Sequence, residues 1–181
     1  MDNIIEYFND FEKLLKSLSF LEKYSLQFGV FVEDAYKTVT VNILNTDDTI
    51  SEEIMSIGDI MYLTEYGSMM IPAKPILHNC MKYVSENFEK VLDEIICDIF
   101  ENGINEDKVE KKLKSFANSM EIYVQSQFMI MANSITLNDL VNKNEDKEYL
   151  YDLKKLKNFI KCRILVDGLK IFLVLNKLGL R

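Results

Sequence analysis

Hydrophobic positions Ile4, Ile5, Phe8, Phe11, Leu14, Leu15 and Leu18 recur every three or four residues, with Glu, Asp, Asn and Lys between them. That spacing predicts an amphipathic helix over about residues 3–20. The period then changes. Leu26, Phe28, Val30 and Val32 alternate, as do Val39, Val41 and Ile43, which predicts two strands over about 25–32 and 37–44, joined by a polar turn at Glu33 to Tyr36. NTDDT reads as a loop. Ser51, followed by Glu52 and Glu53, reads as a helix start, with Ile54, Ile57, Ile60 and Met61 on the apolar side and a stop at Gly67.

Residues 62–77, YLTEYGSMMIPAKPIL, form the most specific stretch of the chain. Gly67 permits the positive φ at which a helix ends, and Pro72 and Pro75 favour an extended path that Met70 to Lys74 cannot take within a helix. A stiff corner is predicted. Within it Tyr66 is expected to anchor against the sheet and Glu65 to point toward a neighbouring subunit, or both simply to close the helix. Met69 and Met70, with Ile71, either fill gaps in the core or project as an adaptable apolar contact.

Beyond the corner, Ile76, Leu77, Cys80, Met81, Val84, Phe88, Val91, Leu92, Ile95, Ile96 and Ile99 keep a helical period for about 27 residues, up to a C-cap signal at Asn102-Gly103. A further helix starts at Asn105, carries Val109, Leu113, Phe116, Met120 and Val124, and runs to about Met131. Asn142 to Glu148 is a charged linker. Two readings of the C-terminus compete: a β-hairpin turning at Asp167-Gly168, or a helix lined by Ile160, Ile164, Leu165, Leu169, Phe172 and Leu173.

The chain has 181 residues, 48% of them hydrophobic, which suits one domain with a real core. Its 29 acidic and 21 basic residues give a net charge of −8, which argues against a nonspecific DNA-binding surface. Charge is unevenly placed. Basic residues cluster late, in Lys108 to Lys114 and Lys154 to Arg163, a pattern suited to charge-complementary contact between subunits. Cys80, Cys97 and Cys162 are odd in number, widely spaced and set in apolar patterns, so buried reduced thiols are expected. The N-terminus lacks a secretory signal and no apolar run approaches the roughly 20 residues that span a bilayer, so synthesis in the cytoplasm is expected.

Catalytic chemistry is sparse. His78 is the only histidine, and a lone histidine on an amphipathic helix is most often a packing or surface residue. GxSxG, HExxH, GxxxxGK[ST] and GxGxxG are all missing from the sequence. Glu52-Glu53, Asp93-Glu94 and Glu106-Asp107 read as helix-start or solvated-face residues, and NTDDT lacks the spaced ligands and distal Glu of an EF-hand. No catalytic residue, metal ligand or cofactor is expected, and the chain reads as a non-enzyme.

The corner resembles the EYG or EFG turn followed by PARPFL in a family of bacteriophage tail components. These are the tail-completion, minor tail protein Z-like or virion-morphogenesis proteins at the head-proximal end of a tail. A second stretch, YLYDLKKLKNFI at Tyr149 to Ile160, is similar to that family's PLIDTGRLLNSI, with Leu150, Asp152, Leu156, Asn158 and Ile160 in register. Lys74 stands where the family usually has Arg, and Leu153-Lys154 replaces its Thr-Gly. The resemblance implies an α+β fold: a small antiparallel sheet packed by a long central helix, with an N-terminal helix, residues 1–141 forming the domain and 142–181 packing on it. It also implies a homo-oligomeric ring capping the tail of a phage or headless tail-like bacteriocin particle. Its partners would be further copies of itself, tail tube, sheath or tail terminator proteins, and a head-side connector where a head exists, with no membrane and no sequence-specific nucleic acid. Glu65, Tyr66 and Gly67 would form the corner, Pro72 and Pro75 would stiffen it, Met69 and Met70 would present apolar surface, and Lys74 would make an intersubunit charge contact. Two other classes remain open: a cytoplasmic helical regulator or adaptor, and an enzyme with an unrecognised carboxylate site.

Overall fold

A computed structural model describes residues 2–44, 49–67, 73–141 and 153–166. Along the chain these form α1 (Asp2–Leu21), β1 (Tyr24–Val30), α2 (Val32–Ala35), β2 (Thr38–Leu44), β3 (Ile50–Ser56) and α3 (Ile57–Tyr66). They continue as α4 (Ile76–Asn102), α5 (Glu106–Val141), α6 (Leu153–Leu156), a 3-10 turn (Lys157–Phe159) and β4 (Ile160–Val166). The fold is α+β: long central helices with a small two-stranded antiparallel sheet and a C-terminal strand.

The long helices follow the apolar period. α4 ends where Gly103, at φ +79°, donates its N–H to the Ile99 carbonyl at 2.8 Å. Asn105 then caps α5, its side-chain oxygen accepting the Lys108 N–H at 3.1 Å and its carbonyl the Val109 N–H at 3.0 Å. α5 continues past the expected end near Met131 to Val141.

The strands depart from expectation. β1 and β2 do not form a hairpin: β1 pairs with β4, and β2 pairs antiparallel with β3, from Thr38 opposite Ser56 to Leu44 opposite Ile50. The expected turn at Glu33 to Tyr36 is largely the short helix α2. Ser51-Glu52-Glu53 lies in β3 rather than opening a helix, and the helix start is Ser56, whose Oγ accepts the Asp59 N–H at 3.0 Å. The 157–159 turn breaks the helical period before Ile160, and 160–166 is a strand, as the hairpin reading has it. The second arm of that hairpin, and its Asp167-Gly168 turn, lie outside the described residues.

The described residues divide into two compact units. The first takes in α1, β1 as far as Gln27, α4 from Tyr83, α5 as far as Met120 and β4 from Cys162. Leu21, Tyr24, Ile95, Ile99, Val109 and Leu113 are its core, with Phe20, Phe88, Val91, Leu92, Ile96 and Ile164 packed around them. Each such side chain contributes about 1.5–3 kcal/mol when fully buried. Phe88 stacks on Phe116 with ring centroids 5.6 Å apart. Ion pairs Lys108–Asp98 (2.6 Å), Lys112–Glu94 (2.7 Å) and Lys23–Glu106 rim this core.

The second unit takes in Phe28–Lys82 and Glu121–Lys161. Val30, Ile57, Ile60, Met61, Ile76, Cys80, Val124, Phe128, Leu153, Leu156 and Ile160 are buried there. α2 and α3 approach so closely that a Cβ on Gly58 would stand 3.2 Å from the Ala35 carbonyl oxygen. Gln125 on α5 donates to the Ile160 carbonyl at 2.9 Å, tying the start of β4 to the helix.

Candidate functional site

α3 turns its apolar side inward through Ile57, Ile60 and Met61, and Glu65 falls one turn beyond Met61 on that same side. Glu65 is buried as a result. The helix stops at Tyr66: Gly67 donates to the Leu63 carbonyl at 2.9 Å and turns away with φ +70° and ψ −169°. That backbone region is essentially reserved for glycine, since a Cβ clashes there.

On the far side of the corner the chain returns to the end of α3. The Lys74 N–H donates to the Thr64 carbonyl at 2.6 Å, and the Thr64 hydroxyl donates back to the Ile60 carbonyl at 2.9 Å. α4 then begins without a Ser, Thr, Asp or Asn cap, because Pro75 immediately precedes it. Its leading amides would be left without partners. Instead the Ile76 N–H reaches the Lys74 carbonyl at 2.8 Å, and the Asn79 N–H reaches the Pro75 carbonyl at 3.0 Å. The two between them, Leu77 and His78, donate to the Glu65 carboxylate, to Oε1 at 2.7 Å and to Oε2 at 3.2 Å.

Glu65 thus caps the helix that follows the corner while sitting in the helix that precedes it. A carboxylate at a helix N-terminus gains from the exposed amides and from the axial dipole. Burial nonetheless pushes its carboxyl above the ordinary glutamate range, and the Leu77, His78 and Ile76 amides and the His78 side chain pull it back only in part. Cys80, one turn into α4, is buried as well, and burial together with the Glu65 carboxylate raises its thiol to about 11. A thiol held that high stays protonated and is no nucleophile.

Of the residues expected at the corner, Glu65, Gly67, Lys74 and Pro75 are brought together, but two of the expected orientations are corrected. Glu65 faces inward onto α4, not out toward a neighbour. Tyr66 is 54% exposed, with its ring 4.9 Å from that of Tyr62, instead of anchoring the corner against a sheet. Met69, Met70 and Pro72 lie outside the described residues. Met61 and Met120 are core residues, whereas Met81 is 54% exposed. Cys80 and Cys162 are buried as expected, and Cys97 is exposed on α4.

The chain matches no family model, no curated protein and no solved structure. Among the described residues no group of three His, Cys, Asp or Glu is placed to hold a metal ion, and no helix is long and apolar enough to cross a membrane.

A second polar cluster lies in the second unit and was not anticipated. Asp34 on α2 is buried, yet its carboxylate takes the Lys37 ammonium at 2.6 Å on one oxygen and that of Lys161 on the other. Those lysines, Lys161 first, hold the carboxyl down at about 2. The contact ties α2 to the start of β4, 127 positions along the chain. Only Lys37, three residues from Asp34, was within reach of a sequence pattern.

Proposed function

We propose that this protein is a structural component of a tailed phage or tail-like particle, and that it forms a homo-oligomeric ring completing the head-proximal end of the tail. The observation that carries the proposal is the corner. A glycine stop, a proline-led restart and a buried carboxylate bind two helices together through the residues that resemble the tail-completion motif. A corner of this kind is suited to holding an assembly surface in one geometry, because the Glu65 carboxylate, the Thr64 hydroxyl and the Lys74 N–H are all bonded to the backbone. Its one carboxylate accepts from two amides, which suits it to shaping the chain and not to reacting with a substrate.

The uneven charge supports the same reading. A closed ring needs two different complementary patches on each subunit, and this chain is acidic in its first half and richer in lysine later. An acidic ring also lets DNA pass without adhering to it. The test is the mass of the purified protein, measured by light scattering across concentration, alone and with tail tube protein. Closed oligomers support the proposal, and a strictly monomeric species in every condition refutes it.

A further inference from the structure

We infer that α1 pairs with the α1 of a second copy of this chain, in antiparallel order about a two-fold axis. Ile4, Phe8, Phe11, Leu15 and Leu18 are spaced four, three, four and three residues apart along this helix. That alternation averages 3.5 residues, the period of a seam along which two helices interlock their side chains. The seam is not what holds α1 to its own core. Ser17 and Leu21 are buried and Leu14 and Phe20 half-buried, whereas Phe11 is 58% exposed, Leu15 51% and Leu18 43%. The Ser17 hydroxyl donates to the Lys13 carbonyl at 2.8 Å, which satisfies it within the helix and lets that side face inward. The more apolar side faces out.

Charge selects the occupant. Residues 2–12 of α1 hold Asp2, Glu6, Asp10 and Glu12 and no basic residue, and residues 13–21 hold Lys13 and Lys16 and no acid. Laid antiparallel, two copies set the acidic half of each helix along the basic half of the other and oppose their helix dipoles. Parallel order would set like charge on like. Lys16 also pairs with Glu12 of its own helix at 2.8 Å, an exposed pair that leaves the asymmetry between the two halves in place. A lipid surface suits α1 poorly, because helices that lie on anionic membranes are rich in Lys and Arg, whereas α1 carries twice as many acids as bases. At about 1.5 Å per residue α1 is about 30 Å long, and its outward half presents roughly 450 Å², against ~800 Å² per partner in a standard interface. A reversible dimer follows. Its two-fold contact is distinct from the head-to-tail contacts that close a ring, and the inference does not rest on the ring proposed above.

Light scattering across concentration tests this on the full chain. Wild type should pair reversibly, and F11Q/L15Q should pair at least tenfold more weakly while circular dichroism shows it folded. Charge reversal checks the occupant and the order: E6K/D10K/E12K and K13E/K16E should each pair at least tenfold more weakly at low salt, and an equimolar mixture of the two should recover pairing. A wild type that stays monomeric at every concentration overturns the inference. Oligomers that F11Q/L15Q leaves intact also overturn it, while a ring built through other surfaces then stands. If F11Q/L15Q lowers the urea midpoint of a monomer without changing association, the stripe is covered within its own chain and the inference fails. It fails too if F11Q/L15Q abolishes binding to vesicles of anionic lipid and leaves association unchanged. Reversals that pair as well as wild type refute the antiparallel order, and loss in both without recovery in the mixture refutes the choice of a second copy by charge.

Discussion

Replacing Glu65 with Ala removes the acceptor of two amides at once, and its cost can be worked from the corner's geometry. The Leu77 N–H lies at 2.7 Å from one carboxylate oxygen and the His78 N–H at 3.2 Å from the other. Loss of a helix N-cap costs about 0.5–2 kcal/mol, and a half-buried amide left without an acceptor costs about 1–3 kcal/mol. Leu77 is half-buried, whereas His78 is exposed, so water replaces the carboxylate at the second amide and not fully at the first. Against these losses stands the relief of no longer burying a carboxylate. A net loss of about 2 kcal/mol is expected, or roughly 4–8 °C in Tm for a chain of this size. Glu65→Gln keeps one oxygen acceptor but turns an amide donor toward the backbone, so it should fall between wild type and Glu65→Ala.

Urea denaturation measures the loss, and hydrogen exchange locates it: the Leu77 and His78 amides should exchange faster while those near Ile95 are unchanged. The pH dependence has a definite sign. Burial raises the carboxyl above its ordinary value near 4.5, so the folded chain holds that proton more tightly than the unfolded chain does. The stability of wild type relative to Glu65→Gln should therefore fall as pH rises from about 4.5 through the raised value, and be flat above it. Unchanged stability and unchanged exchange in Glu65→Ala would refute the cap.

Gly67→Ala should cost roughly 1–3 kcal/mol in urea denaturation, since alanine is strained at φ +70° and ψ −169°; no loss would mean that the helix does not end in that conformation. Asp34, depressed from 3.8 to about 2 by Lys161 and Lys37, stabilises the fold above pH 3.8 and loses that contribution as pH falls toward about 2. Asp34→Asn should show no such loss in that window, and an identical acid profile would refute the double lysine clamp. In the native protein a thiol reagent should modify Cys97 readily, with Cys80 and Cys162 reacting only on unfolding. Equal rates at all three would contradict the burial of the latter two.

The parts of the fold legible in the sequence are those specified by local pattern. α1 and α4 carry long runs of three-and-four spacing, and the corner is punctuated by Gly67 and Pro75, residues whose backbone limits are intrinsic. Strand pairing was less legible because it is nonlocal. β1 pairs with β4, which lies more than a hundred residues away, and nothing in the alternation of Leu26, Phe28 and Val30 names that partner. β3 was misread because Ser51-Glu52-Glu53 imitates a helix start, while the working cap, Ser56 with Asp59 three residues on, sits one strand later. Glu65 did leave a signal. It stands at the same face as Ile57 and Met61, and α4 opens behind a proline with no capping side chain of its own. An inward carboxylate and an uncapped helix answer each other, but only a fold that brings residues 65 and 77 together shows it.

Imaging tests the central claim most directly. Particles carrying a labelled copy of this chain, viewed by negative-stain electron microscopy, should show label confined to the head-proximal end of the tail. Label at the tail tip, along the tube, or only on unassembled protein would contradict the account.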